Sequence, residues 1–167
     1  MDRRVPASFF LQKEMTMGLM ERISSDLKQA MKAGEKLRLE TLRSLRAALM
    51  ERQIERRGAG QPMSPEDEIA VLATAVKKHR ESIEQFQKGG RADLVDQEQR
   101  ELVIIQEYLP EQMSEEEVRT VIEEIVAQTG GGTVSDFGKV MPLVMKQVKG
   151  RADGRLVQEL VRKRLGG

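Results

Sequence analysis

Ile69, Leu72, Val76, His79, Ile83 and Phe86 recur at spacings of three and four residues. That is the seam of a helix that packs along its length on a second helix. Ahead of it, Ser64 is an N-cap residue, Pro65 suits the first helical position, and Glu66, Asp67 and Glu68 load the first turn with negative charge. The helix is therefore expected over 65–88. Gly89-Gly90 makes a tight break, and a further helix is predicted over 92–109, stopped by Pro110. Its stripe is Leu94 or Val95, Glu98, Leu102, Ile105 and Leu109. So short a connection makes the two helices an antiparallel hairpin, in which facing residue numbers sum to roughly 180. His79 then falls near Glu101 and Leu102, and Ile83 near Glu98.

The remaining chain reads the same way. Leu19, Ile23, Leu27 and Met31 predict a helix over 19–33 that ends at Gly34. A second spans 36–57 and ends at Gly58, with Leu42, Leu45 and Leu49 on its inner face. Ser114 with Glu117 three residues on is a capping box, followed by the apolar face Val118, Val121, Ile122 and Ile125 and ended by Gly130-Gly131-Gly132. Phe137, Val140, Met141, Val144 and Val148 mark another helix, in which Pro142 predicts a kink or a late start. Asp153 is the candidate N-cap of the last, whose stripe is Val157, Leu160, Val161 and Leu165.

Aromatic residues make up only 3% and there is no Trp, which favours helices over a sheet. The expected fold is all-α: a four-helix bundle or helical hairpin module, then a small three-helix bundle. The expected boundaries are 1–18 for a disordered N-terminal extension, 19–110 for the first bundle and 111–167 for the second. Met15, Met17 and Met20 make a start at one of them a further expectation.

The chain has no cysteine, so disulfides, thiolate chemistry and zinc sites built on Cys are excluded. No window approaches the roughly 20 apolar residues of a membrane span. A cytoplasmic location and no membrane partner are expected. The net charge of +1 conceals an asymmetry. Between Asp93 and Glu124, eleven acids face only Arg100 and Arg119; from Asp136 onward, eight bases face Asp136, Asp153 and Glu159. A basic tail of this kind suits a polyanion or an acidic region of protein.

Candidate chemistry is sparse. His79, the only histidine, has Ser82 and Ile83 at i+3 and i+4 and no ligand partner within its own helix. It is expected to be a core histidine paired with Glu98 or Glu101, and no metal ligand set, catalytic residue or cofactor is expected. The stretch from Gly132 to Lys139 is not a phosphate loop: Thr133 stands five residues before Gly138, and Val140 replaces the Mg²⁺-binding hydroxyl. Ser64, Ser114 and Ser135 read as helix caps, and Met141 and Met145 as core. In Lys149-Gly150-Arg151-Ala152-Asp153-Gly154-Arg155, three cations lie among glycines. Backbone amides beside a helix N-terminus are expected to approach phosphates closely there. Phe86 and Phe137 lie on core stripes, so there is no aromatic platform for base stacking.

The chain resembles the GatB/YqeY family. The match is carried by Asp26-Leu27-Lys28-Gln29-Ala30-Met31, Gly89-Gly90-Arg91 with Asp93-Leu94, and Tyr108-Leu109-Pro110. Gly138-Lys139-Val140-Met141 and Lys149-Gly150-Arg151-Ala152-Asp153-Gly154 complete it. It covers about residues 19 to 165. The resemblance implies a four-helix bundle followed by a three-helix bundle, similar to the tail of the B subunit of the tRNA-dependent amidotransferase. That enzyme converts Asp-tRNA(Asn) and Glu-tRNA(Gln) to their amide forms, and its tail contacts tRNA. No part of the 167 residues resembles the catalytic body of the B subunit with its ATP and Mg²⁺ sites.

The expected function is a non-catalytic tRNA-binding or tRNA-associated adaptor, with Lys139, Lys146, Lys149, Arg151 and Arg155 on phosphates and no DNA specificity. Two alternatives stand beside it. One is a protein-interaction module that docks on an amidotransferase or aminoacyl-tRNA synthetase. The other is a contributor to carbon–nitrogen ligation with glutamine as nitrogen donor.

Overall fold

The computed structural model describes residues 17–166. The N-terminal extension expected at 1–18 therefore lies almost wholly outside the described residues. Among the described residues there are seven α-helices, one short 3-10 turn and no strand. The helices are α1 (Leu19–Ala33), α2 (Lys36–Gly58), α3 (Pro65–Lys88), α4 (Ala92–Gln106), α5 (Glu115–Thr129), α6 (Phe137–Val148) and α7 (Gly154–Gly166), with the 3-10 turn at Val134–Asp136. The all-α class follows as expected. The chain divides into two compact units, 1–108 and 109–167.

In the first unit, α1 packs on α2 and α3 packs on α4, while α2 also touches α3 and α4. Ile23, Ala30, Leu42, Leu45, Leu49, Leu72, Val76, Ile104 and Ile105 are its buried apolar side chains. Met31, expected on the inner face of α1, is exposed, and Ala30 takes its place. At about 100° per residue, a spacing of four drifts off the apolar face, whereas Ala30 lies seven residues from Ile23 and returns to it. Helix α3 begins as predicted. Ser64 Oγ accepts from Asp67 N (3.2 Å), and the Asp67 carboxylate accepts from Ser64 N (3.1 Å). Asp67 is only 4% exposed because Arg52 and Arg56 of α2 also grip it, at 2.9 and 2.6 Å.

Helix α4 stops at Gln106, three residues short of expectation. Pro110 disfavours helical backbone at Leu109. Tyr108 and Glu107 instead turn toward α1 and α2. The Tyr108 hydroxyl donates to the Asp26 carboxylate, the Arg22 guanidinium lies over the Tyr108 ring at 4.8 Å, and Arg38 donates two hydrogen bonds to Glu107 at 3.1 and 2.8 Å.

The second unit closes on Val118, Ile122, Ile125, Val126, Val140, Val144, Val148, Val157, Leu160, Val161 and Leu165. Met141 and Met145 pack against this core, as their spacing implies. Ser114 and Glu117 form the predicted capping box. Pro142 lies inside α6, and the helix nonetheless starts at Phe137. The late start is therefore not observed; the missing N–H falls opposite the carbonyl of Gly138.

Candidate functional site

The five predicted cations all lie in the second unit, and all five are exposed. Val140, Val144 and Val148 bury one face of α6. Lys139 and Lys146, seven residues apart, therefore share the opposite face. Lys149 follows at the C-cap, and Gly150, at φ +72°, reverses the chain in a conformation that favours glycine. Arg151 lies in the turn and Arg155 in the first turn of α7. Lys139 stands near enough to Asp136 to help hold its carboxyl low.

The turn itself is built differently from the expected amide cradle. Arg151 N donates to Val148 O (2.8 Å), and Asp153 Oδ1 accepts from Arg155 N (2.7 Å) and Leu156 N (3.4 Å). Asp153 is thus the cap predicted for α7, and it takes the Arg155 and Leu156 amides at the helix N-terminus. Arg151 also has a structural role. Its Nε donates to Glu111 O (3.3 Å), its carbonyl accepts from Met113 N (2.6 Å), and Gln112 Nε2 donates to Gly150 O (2.8 Å).

Two further cations of the basic tail, not named among the expected phosphate contacts, are also exposed. Arg162 and Lys163 follow Arg155 at i+7 and i+8 along α7, and all three line a shallow hollow of about 610 Å³ with Gln158, Glu159 and Gly166. The helical period alone could have found them. The Arg162 guanidinium also lies over the Phe137 ring at 5.5 Å. Arg164, by contrast, is occupied: it donates to Glu123 of α5 and holds that carboxyl below its ordinary range. Glu115, Glu116, Glu117, Glu123 and Glu124 lie on α5 against Arg119 alone, whereas α6 carries Lys139 and Lys146 with no acid and α7 carries four cations against Glu159.

The 132–139 stretch does not wrap an anion. Asp136 Oδ2 accepts from Gly132 N and Thr133 N, both at 3.1 Å, and those N–H groups, Thr133 first, hold its carboxyl low. Thr133 rather than Ser135 is the cap, Ser135 Oγ lying 2.7 Å from Thr133 Oγ1. In the first unit, His79 Nδ1 meets Glu98 Oε2 at 2.7 Å and stands 3.8 Å from Glu101 Oε2, as the hairpin register predicts.

A family model described as Yqey-like protein matches residues 20–165. The chain belongs to the YqeY-like family. Among similar proteins, "Altered inheritance of mitochondria protein 41, mitochondrial" of Pyrenophora tritici-repentis is 29% identical over 152 residues, 89% of this chain and 81% of that protein. The protein of the same name from Eremothecium gossypii is 38% identical over 90 residues, 52% of this chain and 46% of that protein. That from Lachancea thermotolerans is 31% identical over 103 residues, 60% and 52% of the two chains. With these two, the match spans about half the relative's length. None of the names states a catalytic activity. They do overturn the cytoplasmic expectation, since all three relatives are named as mitochondrial. Lack of cysteine suits either compartment and never distinguished them. No helix among the described residues is long and apolar enough to cross a membrane.

Proposed function

We propose that this YqeY-like protein is a non-catalytic adaptor that binds tRNA through its phosphate backbone. The observation that carries the reading is the charge division of the second unit. Lys139, Lys146, Lys149, Arg151 and Arg155 are all exposed along α6, the turn and the start of α7, while the acids of α5 keep to another helix. Arg162 and Lys163 share a hollow with Arg155 and add exposed positive charge to α7.

Cations without aromatic platforms read backbone and shape rather than bases. The sequence resemblance to the tail of the amidotransferase B subunit supplies tRNA as the polyanion, and an amidotransferase or synthetase as the enzyme it would assist. Carbon–nitrogen ligation by the chain itself has no nucleophile or ATP loop in its favour.

The test is a titration of bulk tRNA with wild type and with Lys139→Glu/Lys146→Glu. This pair is chosen because both side chains face solvent from the outer side of α6 and neither helps to build the turn. The variant should fold normally and bind at least about tenfold more weakly. Equal binding by the two proteins would remove the reading.

A further inference from the structure

We propose that His79, Glu98 and Glu101 form a binding site for a borderline divalent transition-metal ion, zinc foremost. The three side chains come from facing positions of α3 and α4. Their ligand atoms lie within 4.8 Å of one another, and each side chain is about one-fifth exposed. One imidazole and two carboxylates make a donor set for zinc, manganese or iron rather than for magnesium or calcium, which take oxygen alone.

The geometry is close to what such an ion needs. A tetrahedral zinc with ligands at about 2.0–2.1 Å holds them roughly 3.3 Å apart. Glu101 Oε2 lies 3.8 Å from His79 Nδ1, and Glu98 Oε2 lies 2.7 Å away across a hydrogen bond. Replacing the bridging proton by an ion opens the shorter contact by about 0.6 Å.

The arrangement also contains more than a histidine–glutamate pair requires. A ring nitrogen carries one proton, and Glu98 uses it. The facing oxygen of Glu101 is beyond hydrogen-bond reach of the ring. Gln97 Nε2 donates to the other oxygen of Glu101 at 2.9 Å and so orients the carboxylate, as outer partners of metal ligands do. Two carboxylates this close repel, and a dication neutralises both.

Three protein ligands leave a fourth position for water. His79 and Glu101 line a groove of about 560 Å³ among α2, α3 and α4, whose lining also includes Ser44, Ala48, Thr74 and the charged Arg52 and Lys78. Solvent and small ligands therefore reach the site. The sequence concealed it because the ligands lie on two helices rather than at i+3 or i+4 on one.

The test is calorimetric titration of the full-length, chelator-stripped protein with zinc chloride, with cobalt(II) absorption as a report on coordination. Saturable one-to-one binding is expected, with visible cobalt bands from a site of low coordination number. Glu101→Gln leaves both partners of the His79–Glu98 hydrogen bond in place. By removing one of two repelling carboxylates it should leave the metal-free melting temperature equal or higher while weakening zinc binding more than about tenfold. Glu98→Gln keeps an acceptor for His79, though a weaker one, and should weaken zinc binding likewise. Absence of saturable binding below millimolar zinc would overturn the proposal. So would zinc affinity unaffected by either substitution, which would place the ion on other carboxylates.

Discussion

The hydroxyl of Tyr108 donates to the carboxylate of Asp26, joining residues 82 positions apart within the first unit. The two belong to the opening motif and the Tyr108-Leu109-Pro110 motif, which in sequence are unrelated. Tyr108 is 6% exposed, and Arg22 covers its ring. Burial first, and the hydrogen bond to Asp26 second, push its hydroxyl well above the ordinary tyrosine range.

That shift is directly measurable, because Tyr108 is the only tyrosine and the chain has no Trp. An alkaline titration followed by tyrosinate absorbance should show no ionisation near pH 10 while the protein is folded, and an ordinary midpoint of about 10 in denaturant. The folded pKa is raised, so the stability linked to Tyr108 is fully present below about pH 10 and is lost as pH rises beyond it. Asp26→Asn should bring the folded midpoint down, leaving the part due to burial.

Asp67 gives the opposite pH dependence. Hydrogen bonds from Arg56 first, then from Ser64 and Arg52, hold its carboxyl well below the usual carboxylate range. Its contribution is therefore present above the unfolded value of about 3.9 and is lost as pH falls below it. Melting temperatures measured between about pH 6 and pH 2.5 should fall steeply for wild type and less steeply for Asp67→Asn. The gap between the two curves should narrow toward the acid end without closing by about pH 2.5, because the folded carboxyl is held so low.

Ser114→Ala removes the side-chain oxygen that accepts from Glu117 N. It also removes the Ser114 Oγ contact to the Glu117 carboxylate, which the Ser114 N–H holds low. The expected cost is about 1 kcal/mol of stability in the second unit. Denaturant unfolding should report it as a lower midpoint with unchanged slope.

Ile122 is 1% exposed in the core of the same unit. Ile122→Ala should cost about 2–5 kcal/mol through lost burial and the cavity left behind. For a unit of this size that is a large share of the total. Amide exchange across α5, α6 and α7 should accelerate together.

Periodicity and caps made the seven helices legible, because Ser64, Ser114, Asp153 and the glycine stops act locally. Features set by tertiary contact were not legible. Asp67 reads as first-turn charge until Arg52 and Arg56 close on it from α2. Ala30 replaces Met31 because a spacing of four is not the helical period. Helix α4 ends early because Glu107 and Tyr108 find partners on α1 and α2. The cations were found from charge and Asp153 was read as a cap from its type, but neither signal shows that Arg164 is paired with Glu123 while Arg162 and Lys163 are exposed.

The most direct measurement of the central claim is the slope of log K for tRNA against log salt. Five phosphate contacts predict a slope of about −3.5 to −4.5, and removing Lys146 by Lys146→Ala should reduce its magnitude by roughly 0.7–0.9. A flat slope for wild type, or one that Lys146→Ala leaves unchanged, would contradict the account.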